Sequence, residues 1–192
     1  FHTGSLHLSE IREYFAANGV TRALALVSFS FLVVFGLFIS WAFPFQTLGP
    51  DVGQGSPVVA SGFVLVAHFI GGLSLLLKLC EWLTLYGVPW NSIFAILSAL
   101  TISVGTFGSL AQTSIKRFLA YGAIAQVGYI LLGMAALDKG ALVAILSAMV
   151  GFCCALIGIF SVVHRVISAT EDESLQSFRG LAWREPVMGV AA

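Results

Sequence analysis

The 192-residue chain is 58% hydrophobic and only 9% charged, with zero formal net charge and a mean hydropathy of +0.98. Soluble domains carry about a quarter charged residues, so water is not this chain's main solvent and a soluble fold is excluded. The nine Lys and Arg residues are scattered over the connections between apolar runs. No basic surface can therefore form to neutralise a row of phosphates, which excludes nucleic acid as a partner.

Taken in chain order, residues 1–19 read as an interfacial N-terminal segment. The chain opens at Phe1 without a cationic stretch followed by an apolar core, so no secretory signal is expected. A transmembrane bundle follows over 20–163. A helix crossing the ~30 Å hydrocarbon layer needs roughly 20 apolar residues, and the first such run, 23–43, holds no charge after Arg22. The stretch 44–57 is rich in Gly and Pro, contains the lone charge Asp51 and reads as a loop or re-entrant turn. The second run, 58–86, is long for one straight span. Its Gly71-Gly72 pair is a candidate interruption, of the kind that lets freed backbone groups line a cavity in transporters.

Pro89 suits the first turn of a third span, 90–110, because its missing N–H costs nothing there. The polar step 112–117 closes that span, and a fourth covers 118–136. Asp138-Lys139-Gly140 makes a short turn into the fifth, 141–163, whose exit is marked by His164 and Arg165. An interfacial C-terminal tail, 164–192, carries Glu171, Asp172 and Glu173. It then offers Leu175, Phe178, Leu181 and Trp183 at helical spacing, as an amphipathic surface helix would. The fold class is thus an all-α integral membrane bundle of about five transmembrane helices, one of them a candidate for interruption. Lys and Arg divide almost evenly between the two sides, which leaves orientation open.

Ionisable groups inside a bilayer are costly and usually functional. His68 lies in mid-span, where a neutral imidazole is equally readable as a proton relay and as a core histidine bonded to a neighbouring helix. Lys78 and Glu81, three residues apart, share a helix face and form either an internal ion pair or a pair of interfacial anchors. Lys116 and Arg117 read as a charged cap at a span's end. Cys80, Cys153 and Cys154 lack the spacing of a metal-binding run and read as packing residues. The glycines of 49–55 lack a phosphate-loop spacing. No cofactor or metal is expected on this chain.

The segment Gln112–Tyr129, QTSIKRFLAYGAIAQVGY, closely resembles the QTNIKRLLAYSSIAHMGY stretch of subunit 2, the bacterial N-type antiporter-like subunit, of respiratory NADH:ubiquinone oxidoreductase, complex I. PDVGQGSP at 50–57 is similar to that family's PDVYQGAP, and ESLQSFRGLAWREP at 173–186 to its DSLFSYRGLFWHRP. Thr3-Gly4-Ser5-Leu6 with Glu10-Ile11 matches a further TGS…EI segment. The resemblance runs nearly end to end but covers only the middle of a typical subunit. It implies a split or shortened membrane-arm subunit of the proton-translocating enzyme, without redox chemistry of its own.

The resemblance further implies that NADH, FMN, iron–sulfur clusters and ubiquinone are bound elsewhere in the complex. Expected partners are the other membrane-arm subunits, a chain supplying the missing helices, and membrane lipids. The expected location is the mitochondrial inner membrane, with a bacterial plasma membrane as the alternative. Buried lysines and histidines of the family are implicated in moving protons, and here this chain departs. The expected lysines fall on Ile39 and Phe69, and the expected histidines on Gln46 and Gln126. The implied proton route is therefore degraded and the role mainly structural. His68, with Lys78 and Glu81, is the one residual relay, and a subunit of a multi-subunit cation/proton antiporter is the rival reading.

Overall fold

The structure, a computed structural model, describes residues 10, 22–85, 90–136 and 139–178, with the side chains at 22–26, 81–85 and 139 outside that description. The readings made for most of 1–19, for Asp138 and for 179–192, including Leu181 and Trp183, fall outside the described residues. Six α-helices follow one another: α1 Arg22–Ile39, α2 Leu48–Gly55, α3 Val58–Leu85, α4 Trp90–Leu110, α5 Ile115–Ala136 and α6 Lys139–Thr170, then a single 3₁₀ turn at Leu175–Phe178. The four helices α3 to α6 contain apolar spans long enough to cross a membrane, and Val27–Ile39 of α1 is a shorter apolar helix. These helices are apolar on all sides, as segments meeting both protein and lipid must be. The chain is a multi-pass membrane protein.

α3 and α5 form the middle of the bundle. One apolar core gathers Leu37 of α1, Phe69 and Leu73 of α3, Phe94 of α4, Leu131 of α5 and Met149 of α6. A second joins Trp41, Leu65, Ile124 and Phe160 nearer the end where α3 begins and α6 leaves. In lipid no hydrophobic force drives one apolar helix onto another, so close packing through small residues must do so. α4 and α5 accordingly meet at Gly105, where an added methyl would lie 2.5 Å from the Ala125 nitrogen, and at Gly128, 2.8 Å from that of Ile102. Gly133 likewise abuts Ile145, whereas Gly151 faces open space.

α1 ends at Ile39 rather than at 43, residues 48–55 of the stretch read as a loop or re-entrant turn form α2, and α6 opens at Lys139, inside the expected turn. Three further points depart from the sequence reading. α5 starts at Ile115, which brings Lys116 and Arg117 into its first turn rather than into a loop. α6 continues to Thr170, so His164 and Arg165 lie within a helix and not in a tail. The third concerns the interruption: α3 is a continuous helix of 28 residues through Gly71-Gly72. The break lies in the neighbouring segment, between α1 and α2, and Gly72 is the residue against which it packs.

Candidate functional site

α1 runs antiparallel to α3, because methyls added at Gly36 and Gly72 would meet Leu76 and Ser40 respectively. Gly72 lies halfway along α3, so α1 stops near mid-depth of the bundle and α2, after the irregular stretch 40–47, completes the crossing. α1 and α2 are thus two halves of a discontinuous helix. Non-helical backbone at such depth is tolerated only where its polar groups are satisfied by protein or a cavity. Here the Trp41 N–H donates to the Phe38 carbonyl at 3.2 Å and the Ala42 N–H to that of Leu37 at 3.0 Å. This pair of bonds is a Schellman ending, with Trp41 at φ 54° in the left-handed position that glycine normally takes. Phe43 N–H then donates to Thr101 Oγ1 of α4 at 3.2 Å, and the Ser40 hydroxyl donates back to the Gly36 carbonyl at 2.8 Å.

A bulky residue with positive φ costs roughly 1–2 kcal/mol, and tertiary contacts hold it there. The Trp41 indole stacks on the imidazole of His68, with ring centroids 4.4 Å apart and planes inclined by 21°. On its other side Gly49 of α2 lies so close that an added methyl would sit 2.6 Å from the ring. His68 Nδ1 is 3.0 Å from the Val64 carbonyl. In the neutral ring that bond puts the proton on Nδ1 and leaves Nε2 as the acceptor nitrogen. Gln46 adds a buried Oε1 without a hydrogen-bond partner among the described residues.

Charges cluster at the end where α2 finishes, α5 starts and α6 leaves. Lys116 is buried, at 4% exposure. Its Nζ lies 2.6 Å from a Glu173 carboxylate oxygen and donates to the Ser56 carbonyl, just past α2, at 3.1 Å. Arg117 pairs with Asp51 at 3.3 Å and donates to Gln54 Oε1 at 2.9 Å. The stretch after α6 is stitched to the α4–α5 connection as an antiparallel bridge between Ser114 and Ser174. Ile115 N–H donates to the Glu173 carbonyl at 3.0 Å and Leu175 N–H to that of Thr113 at 2.9 Å. Beside it, the Ser174 hydroxyl and N–H bind the Asp172 carboxylate and hold its pKa below the usual range.

Three segments far apart in the chain, 50–57, 112–117 and 173–175, therefore meet at one place. The sequence reading of Lys116 and Arg117 as a simple cap missed this. Burial of a lysine is paid only where a partner is close, but the partner sits 57 positions away and spacing could not reveal it. Of the positions on the implied proton route, Ile39 and Gln46 border or lie in the break, and Phe69 and Gln126 lie on other helices. Ile39 is the last residue of α1 and Gln46 lies in the irregular stretch, while Phe69 is buried on α3 with its ring centroid 4.9 Å from that of Phe152. Gln126 is half-buried on α5. Lys78 is exposed on α3, ten residues or about 15 Å beyond His68 along the axis, so the structure does not bring these two together; the Glu81 side chain is outside the described residues. Cys80 and Cys153 are buried, while Cys154 is exposed and not a core residue.

Residues 1–192 match the family described as NADH:quinone oxidoreductase/Mrp antiporter, TM. The chain belongs to this family. Subunit N of the NADH-quinone oxidoreductase of Mycobacterium tuberculosis is 34% identical over 98% of this chain and 36% of the relative. That of Chloroflexus aggregans is 35% identical over 98% and 40%. The chain thus spans well under half the length of the relatives it matches. Its fold is shared with a chain of the membrane-bound sulfane sulfur reductase, an archaeal respiratory membrane complex, with a TM-score of 0.79 at 20% identity over 91% of this chain and 36% of that one. A chain of the Mrp complex from Dietzia sp. DQ12-45-1b gives a TM-score of 0.74 at 22% identity, covering 86% and 19%. Both likenesses concern the fold alone.

Proposed function

We propose that this chain is the central part of an antiporter-like membrane-arm subunit of a proton-translocating NADH:quinone oxidoreductase, and that it serves mainly as scaffold, its lysine-based proton route interrupted. The observation that carries this reading is Phe69, buried at 2% exposure in the apolar core where the resemblance expects a lysine. An aromatic side chain can neither accept a proton nor hold the charge that draws one inward. Ile39, at the other side of the break, is equally inert. Redox steps belong to other subunits of the complex, and this chain supplies helices against which they move.

The subunit N relatives, matched over nearly the whole chain, support the respiratory reading over a free cation/proton antiporter. Their bacterial sources support a plasma-membrane location, and none of the relatives named here supports a mitochondrial one. Exposed Phe31, Phe63, Phe107, Val143 and Val150 are faces for lipid, for neighbouring membrane-arm subunits and for the remaining helices of the subunit, in the same polypeptide or another. Mild detergent extraction through a tag on this chain tests the reading. Flavin and iron–sulfur subunits should copurify with it. Recovery of antiporter subunits alone would overturn the assignment.

A further inference from the structure

Lys116 touches three things that the chain brings from different places: the end of α2, the segment after α6 and its own helix α5. Its cation faces the negative end of the α2 dipole through the Ser56 carbonyl. Its other contact, Glu173, is held in place, because its own carbonyl accepts from the Ile115 N–H and the Leu175 N–H, two residues on, donates to the Thr113 carbonyl of the α4–α5 connection. α2 is held on the opposite side by the Ser61 hydroxyl of α3, which donates to the Gly53 carbonyl at 2.7 Å. It is seated on α5 at Gly53, where an added methyl would lie 3.7 Å from the Ala120 Cβ.

We propose that Lys116 is a latch: it ties the short half of the discontinuous helix to the exit of α6, so that displacement of either is passed to the break beside His68. The contacts form an unbroken path from Glu173 through Lys116 and Ser56 to α2, then from Gly49 to the Trp41 ring and from that ring to the His68 imidazole. The Arg117–Asp51 pair runs parallel to the latch but is 31% and 64% exposed, so water can replace either partner and the pair transmits little. Lys116 is a positioning residue in this account, since it touches neither His68 nor the break. The inference concerns the movement of α2 and goes beyond the respiratory reading, because it holds whichever ion or machine the break serves.

Spin labels at cysteines replacing exposed Val52 on α2 and exposed Ser161 on α6, in the assembled membrane complex with Cys154→Ala, measure the coupling directly. Lys116→Gln and Glu173→Gln should each shift or broaden the distance distribution by up to about one helical turn, ~5 Å. Together they should do no more than either alone. Amide protection at Ala42 and Phe43 should fall in both variants, and Lys116→Arg, which keeps the charge, should restore both readouts. Asp51→Asn should change neither. If Lys116→Gln prevents assembly, Glu173→Gln decides, because it keeps the lysine and alters a side chain already 41% exposed. Distances and protection unchanged in Glu173→Gln would overturn the latch, as would an equal response to Asp51→Asn.

Discussion

The break at mid-depth and the charged end of the bundle handle the same problem, polar groups in an apolar solvent, in opposite ways. At the break the irregular backbone is satisfied by its own carbonyls and by Thr101, and a Trp41–His68 stack packs beside it. No formally charged side chain among the described residues contacts it in these bonds. At the end, Lys116 is buried but its partner Glu173 is 41% exposed, so the pair keeps one foot in water and escapes most of the desolvation cost of a buried ion pair. Charge is retained where solvent reaches. Deeper in, hydrogen bonds and ring contacts replace it, and the proposed interruption of a lysine-lined proton route rests on that difference.

If the break depends on tertiary contacts, its aromatic plug should be the most sensitive single position. Trp41→Ala removes the stack on His68 and opens a void beside Gly49, for an expected loss of about 3–5 kcal/mol, measured as thermal unfolding of the detergent-solubilised complex. An unchanged melting temperature would show that the backbone bonds alone hold the turn. Gly72→Val forces a branched side chain onto the Ser40 backbone, where even a methyl would sit 2.6 Å from its nitrogen. Overpacking of this kind costs about 1–3 kcal/mol or more, whereas the same change at Gly71, which faces open space, should be nearly silent. Equal effects at the two glycines would contradict the placement of the break. At the charged end, Asp51→Asn should cost at most about 1 kcal/mol and become undetectable in high salt, a dependence that unfolding at two ionic strengths would check.

Much of the architecture was legible in the sequence because the solvent dictates it: long uncharged runs must be helices that cross a bilayer. The location of the break was not. Gly71-Gly72 offered the stronger local signal, yet glycine inside a membrane helix more often admits a neighbour than ends the helix. Here it admits Ser40. The true break ends on Trp41 in a left-handed conformation, where the sequence has none of the usual glycine, and only the fold supplies the His68 ring that makes the turn tolerable. Lys116 was legible as a charge and as part of a motif. Its burial and its pairing with Glu173 depend on contacts across the bundle, which no helical spacing encodes.

His68 is the titratable side chain that the structure places against the break, so it separates a scaffold from a working path. His68→Leu leaves a side chain of comparable bulk beneath Trp41 and removes the imidazole stacked on it. The decisive measurement is the proton-to-electron ratio of the reconstituted complex carrying this substitution, with assembly verified in the same preparation. The interrupted route predicts an unchanged ratio. A lower ratio with assembly intact would show that protons pass by way of His68 and would contradict the scaffold account.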